Sequence, residues 1–109
     1  MTDDLMVHLD DANFDSMVKS TPKMIVDCWA AWCGPCRMLA PTFEALAVDY
    51  KGKITFAKLD TDKSPNTAMA LSIHSIPTLL FFKDGKQVQS LIGVRPKADI
   101  DTVIKKVFG

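Results

Sequence analysis

The chain has 109 residues, 13 Lys+Arg against 13 Asp+Glu, and a formal net charge of zero. This length suits one domain over residues 1–109, and a composition 48% hydrophobic and 24% charged excludes disorder, collagen and coiled coil. With no basic excess and no Lys/Arg cluster, neither nucleic acid nor an anionic membrane is expected as a partner.

Met1 to Leu9 is acidic, without the long apolar stretch of a secretory signal. No run approaches the ~20 apolar residues that cross a bilayer. A cytoplasmic protein is therefore expected. Leu5, Val7 and Leu9 alternate as in a short strand. Asp10 and Asp11 are placed to cap a helix that buries Phe14, Met17 and Val18. Met24 to Trp29 is nearly continuous apolar, as in a strand buried on both faces. After Cys33 the period changes. Leu39, Phe43, Leu46, Ala47 and Tyr50 form one stripe of a long helix, which continues through Pro41 and ends at Lys51-Gly52. Ile54 to Leu59 reads as a second central strand. Ser64-Pro65 opens a short helix to about Leu71. Thr78 to Phe82 is a strand, Lys83-Asp84-Gly85-Lys86 a hairpin turn, and Gln87 to Ile92 the returning strand. Ile100, Val103, Ile104, Val107 and Phe108 make a last helical stripe, with Asp99 and Asp101 early and Lys105 and Lys106 late. The order is β-α-β-α-β-α-β-β-α. Its alternation implies parallel pairing, to which the hairpin adds an antiparallel pair.

Trp32-Cys33-Gly34-Pro35-Cys36 lies between a buried strand and a long helix. Cysteines three apart at a helix start face one side and can form a small-ring disulfide. Unpaired first-turn amides and the helix dipole stabilise a thiolate there, the reactive form of the sulfur. Cys33, at the very start, is expected to be the more exposed attacking thiol. Cys36, one turn in, is expected to be the more buried resolving thiol. Lowering a cysteine pKa from about 8.5 to about 7 raises the thiolate fraction some ~15-fold, and the accompanying fall in nucleophilicity takes back roughly fivefold. The larger advantage is the effective concentration of Cys36 beside a mixed disulfide.

Trp29-Ala30-Ala31-Trp32-Cys33-Gly34-Pro35-Cys36-Arg37, with Pro41, Asp27, Lys58, Ile76-Pro77-Thr78, Asp84-Gly85 and Gly93, resembles the thioredoxin family over essentially the whole chain. The resemblance implies an α/β thioredoxin fold, a central mixed five-stranded sheet flanked by four helices. It implies a protein-disulfide reductase, an electron carrier whose redox-active disulfide Cys33–Cys36 is recharged by a thioredoxin reductase and spent on oxidised client proteins with accessible disulfides. No metal or bound organic cofactor is required, and a monomer is expected. Ser75, Ile76, Pro77, Ile92 and Gly93, with Gly34 and Pro35, match positions that line the family's partner surface. Trp32 borders the cysteines, and the Ile76–Pro77 bond should be cis. Ser75 departs from the commoner glycine, Thr61 from an aliphatic residue and Ala31 from an acidic one.

Asp27 has two readings. It is either a strand-end carboxylate facing water or a buried acid with a raised pKa that moves a proton to and from Cys36. The resemblance favours the second and places Lys58 close enough to modulate it. Cys28 reads as a small buried hydrophobe. His74 reads as a surface polar residue near the site. Asp60 to Ser64 opens like a calcium loop but has Pro65 and Leu71 where glycine and glutamate are needed, and so reads as a solvated turn and cap. The rival to the reductase reading is a non-enzymatic thioredoxin-fold subunit or scaffold, which would need neither the cysteine pair nor Asp27.

Overall fold

The computed structural model describes residues 5–109. Its elements follow the order expected. They are β1 (Met6–Leu9), α1 (Phe14–Lys19), β2 (Lys23–Trp29), α2 (Gly34–Asp49), β3 (Thr55–Asp60), α3 (Pro65–Ala70), β4 (Thr78–Lys83), β5 (Lys86–Ile92) and α4 (Lys97–Phe108). The five strands form one mixed sheet in the order β1-β3-β2-β4-β5. The apolar run of β2 sits at its centre, where Met24 to Cys28 are all buried. Alternation sends Ile25 to the face covered by α2 and α4, with Leu39, Phe43, Ile100 and Ile104. Met24, Val26 and Cys28 go to the other face, with Phe14 and Val18 of α1.

β1, β3 and β2 are mutually parallel. β4 is not, although a helix separates it from β3: it runs antiparallel to β2, with Cys28 opposite Thr78. The reason is length. The 16 residues of α2 cover about 24 Å and carry the chain back along a whole strand. The six residues of α3 cover about 9 Å. β4 therefore sets out from the end at which β3 finished. The β4–β5 hairpin closes through Asp84 and Gly85, both at positive φ (52° and 83°), the handedness that a two-residue turn needs to match strand twist.

The helix ends differ in detail from the sequence expectation. Asp10 alone serves the start of α1, its Oδ1 accepting from the amides of Ala12 and Asn13. Asp11 turns away to α3, where its Oδ1 accepts from the Thr67 amide at 2.8 Å and the Thr67 hydroxyl at 2.7 Å. Ser64, which the sequence marks as the α3 cap, makes no side-chain cap bond, and its hydroxyl is buried without a hydrogen-bond partner. A carboxylate accepts from orphan amides more strongly than a hydroxyl does, and the β1–α1 loop delivers one.

Candidate active site

Everything the sequence marks for chemistry gathers at the end of the sheet where β2 and β3 finish and β4 begins. Cys33 is the N-cap of α2 in extended backbone (φ −88°, ψ 111°), with Pro35 in the first turn. It is joined to Cys36 as a disulfide with the Cα atoms 5.3 Å apart. The two sulfurs are not distinguished by exposure, since each cysteine is 3% exposed. Ala30 is buried with them, and Trp29 and Ile76 pack against the three as an apolar roof. The asymmetry lies in hydrogen bonding. The Cys36 amide donates to Cys33 Sγ at 3.2 Å, so an otherwise orphan first-turn N–H points at the sulfur of the N-cap cysteine. On its other side, Cys33 Sγ lies 4.0 Å from the Ile76 carbonyl oxygen.

The Ile76–Pro77 bond is cis. The Gly93 amide donates to the Pro77 carbonyl at 2.8 Å, and Ile92 pairs with Thr78 across the hairpin. Ser75, Ile76, Ile92 and Gly93 thereby stay accessible beside the disulfide, whereas Pro77, expected on the same surface, is buried beneath them. A Cβ built on Gly34 would meet nothing within 4 Å, so the loop is open to an approaching chain at that point.

Asp27 shares the α2-facing side of β2 with Ile25 and is 1% exposed, which removes the reading of a carboxylate facing water. Its Oδ1 receives no hydrogen bond. Burial pushes its carboxyl from the ordinary 3.8 up to about 6, against the opposing pull of the Lys58 ammonium. Lys58 is the direct register partner of Asp27 on β3. Its Nζ sits 4.6 Å above the Trp29 ring, so it acts on Asp27 through its field.

Residues 5–106 match the thioredoxin family. The chain belongs to the thioredoxin family. A relative named "Thioredoxin M-type, chloroplastic" from Zea mays is 49% identical over 108 residues, covering 97% of this chain and 64% of that protein. Proteins named thioredoxin from Staphylococcus aureus strains Mu50 and MW2 are 48% identical over 101 residues, covering 93% of this chain and 96% of theirs. The chain thus spans just under two thirds of the maize relative and nearly all of the staphylococcal ones. As a thioredoxin-family protein with Cys33 and Cys36 in a disulfide, it is a thiol–disulfide oxidoreductase that reduces protein disulfides.

The thioredoxin site also uses residues that the sequence alone does not point to. The Trp32 indole, 68% exposed, donates to Asp62 Oδ2 at 2.8 Å. Asp62 is itself aimed by Asp60, whose Oδ1 accepts from the Asp62 amide at 2.9 Å. The Asp60–Ser64 turn is therefore not merely solvated: it holds the tryptophan next to Cys33. The available signal was the Asp-x-Asp spacing of an Asx turn directly after a buried strand. On the other flank, Arg37 Nη1 donates to the Ala31 carbonyl at 2.8 Å and ties the motif loop to α2. Cys28 is fully buried and free. Burial, with the neighbouring Asp27 charge, pushes its thiol up to about 12, so it carries none of the thiolate chemistry.

Proposed function

We propose that Cys33 is the attacking thiolate and Cys36 the resolving thiol of a cytoplasmic electron carrier, recharged by a thioredoxin reductase. The observation that supports this division of roles is the Cys36 amide directed at Cys33 Sγ. A donor and a helix N-terminus on one sulfur favour negative charge there rather than on its neighbour. Cys33 thiolate attacks one sulfur of a client disulfide. The client S–S bond breaks, a Cys33–client disulfide forms, and the other client sulfur leaves as a thiolate and takes up a proton. Cys36 gives its proton to Asp27 and attacks Cys33 Sγ. The second client thiolate leaves, the client has gained two electrons, and the protein is left as the disulfide. An acid of pKa about 6 can accept and return that proton near neutral pH. Lys58 tunes it from the adjoining strand.

The reductase returns two electrons and two protons. The docking surface is read as Trp32, Gly34 and Pro35 on one side and Ser75, Ile76, Ile92 and Gly93 on the other, with Pro77 beneath, suited to the backbone of an oxidised client protein with an accessible disulfide. The working form is read as a monomer of one domain, residues 1–109, whose described part has a radius of gyration of 12.5 Å. A net charge of zero supports neither a nucleic-acid nor a membrane partner. A reducing compartment such as the cytoplasm suits a disulfide reductase. Among the described residues no helix is long and apolar enough to cross a membrane.

Equilibration of the Cys33–Cys36 couple with glutathione tests the direction of electron flow. Gly34-Pro35, with no histidine between the cysteines, leads us to expect a potential below about −230 mV, on the reducing side of the glutaredoxin range. A value near about −120 mV would mark an oxidant and overturn the reductase reading.

A further inference from the structure

The outer face of α2 is not built like that of an ordinary surface helix. Its buried residues are Cys36, Leu39, Phe43, Leu46 and Ala47. On a helix of 3.6 residues per turn, Gly34, Met38, Pro41, Ala45 and Val48 lie about 180° away from them, within an arc of about 80°. A surface helix carries its charged and polar residues there, yet all five are apolar. Met38 is 68% and Val48 53% exposed, and a Cβ built on Gly34 would meet nothing within 4 Å. Spacings of four, three, four and three are the repeat of a helix-pairing seam. Arg37 and Glu44 flank the seam on one side. Among the described residues neither is in a salt bridge. One nitrogen of Arg37 bonds the Ala31 carbonyl, which leaves the rest of its fork for a carboxylate.

We propose that this seam pairs with the same seam of a second copy of the chain, antiparallel across a two-fold axis near Pro41, and that the pairing covers Gly34 beside the disulfide. The seam is self-complementary in that arrangement, as a two-fold contact requires. Val48 of each copy falls over Gly34 of the other, and Met38 over Ala45, a large side chain against a small one each time. The same axis brings Arg37 of each copy to Glu44 of the other, so two opposite-charge pairs form. A parallel arrangement would instead set Glu44 against Asp49 and like residues against like. The seam is about 21 Å long and about 10 Å wide, short of the roughly 1,200–2,000 Å² that a stable complex buries. Pairing is therefore weak, with a dissociation constant on the order of 1 mM, and the dilute chain stays a monomer. Because Gly34 lies in the seam, a paired chain presents no open loop to a client, and activity per chain falls as concentration rises.

Sedimentation equilibrium of the full-length reduced protein tests the pairing. Between about 0.05 and about 2 mM the weight-average mass should climb from that of one chain to about one and a half times it. Met38→Glu with Val48→Glu should stay at one chain throughout, and Met38→Leu should pair as wild type does. The charges give an independent arm. Glu44→Arg alone and Arg37→Glu alone should each pair more weakly than wild type. Mixed in equal amounts they should pair about fivefold more tightly than either alone, since both contacts are then of opposite sign. The last readout is single-turnover reduction of a trace peptide disulfide. At about 2 mM protein its rate should be less than half of that extrapolated in proportion from about 0.05 mM. A mass that stays at one chain overturns the proposal, as does one that climbs equally in Met38→Glu with Val48→Glu, which would place the contact on another surface. A mixture no tighter than its parts overturns the antiparallel register. A rate strictly proportional to concentration while the mass climbs overturns the covering of Gly34.

Discussion

Beneath the middle of α2, Phe43 meets Phe56 edge-on with ring centroids 5.1 Å apart, and Phe81 meets Phe108 at 6.2 Å. Phe43, Phe56 and Phe81 are no more than 1% exposed, and the aromatic rings they bury leave no donor or acceptor unpaired. On the same face of the sheet, at the first turn of the same helix, the arrangement is the reverse. Asp27 is just as buried, but its Oδ1 has no partner and its carboxyl is pushed up to about 6. Nearby, the Ser64 hydroxyl is buried and unpartnered as well. Native proteins satisfy nearly all their buried polar groups, and an exception calls for an explanation. Here the unsatisfied groups lie at the reactive end, and the packing that sustains them lies at the other.

The largest effect should come from the cysteines. Cys33→Ser should bring insulin-disulfide reduction down to background. Cys36→Ser should still attack but accumulate a Cys33–client mixed disulfide, visible as a mass adduct. Normal turnover by Cys36→Ser would reverse the assigned roles.

In the quiet region, Phe43→Ala should cost about 3–5 kcal/mol, the usual loss for a fully buried phenylalanine. Because no titrating group is involved, urea unfolding should give the same loss at pH 4 and pH 8. A marked pH dependence would mean that the two regions are not energetically separate.

Asp27→Asn should do the opposite. A folded pKa of about 6 against 3.8 means that the native state resists ionisation. Wild-type stability should therefore be undiminished below pH 3.8, fall as pH rises from about 4 to 6, and stay reduced above that. The shift corresponds to about 3 kcal/mol. Asparagine resembles the protonated acid, so the variant should gain about that much at pH 8 and almost nothing at pH 4. Resolution of the mixed disulfide should meanwhile slow on the order of 10²-fold at pH 7, the range of general-base catalysis, with the deficit shrinking as Cys36 deprotonates unaided at higher pH. Equal unfolding differences at both pH values would contradict the buried-acid reading. Unchanged kinetics would make Asp27 structural.

The smallest effect belongs to the turn after α3. Ser72 holds φ +57°, a left-handed conformation that suits glycine. Ser72→Gly should add about 1 kcal/mol at any pH. A loss of stability there would mean that the serine side chain stabilises the turn by more than its backbone conformation costs.

Much of this protein was legible before folding because its signals are local. The period-2 and period-3.6 stripes placed β2, α2 and α4 within a residue or two, since each pattern reports which side of one element meets the core. The Asp84-Gly85 turn, the proline at the start of α3 and the Cys33–Cys36 spacing were likewise readable from a few adjacent residues. Other features depended on partners distant in the chain. Asp11 caps a helix 55 residues away, Asp62 steers Trp32 across 30 positions, and β4 reverses direction because α3 is too short to carry the chain back. The cysteines show the division most closely. Their positions in the sequence determined that two sulfurs would share a helix start. Which sulfur receives the amide, and how fully both are roofed by Trp29 and Ile76, was decided by tertiary packing. Burial and hydrogen-bond partners are properties of the assembled neighbourhood, and no local pattern of residue types encodes them.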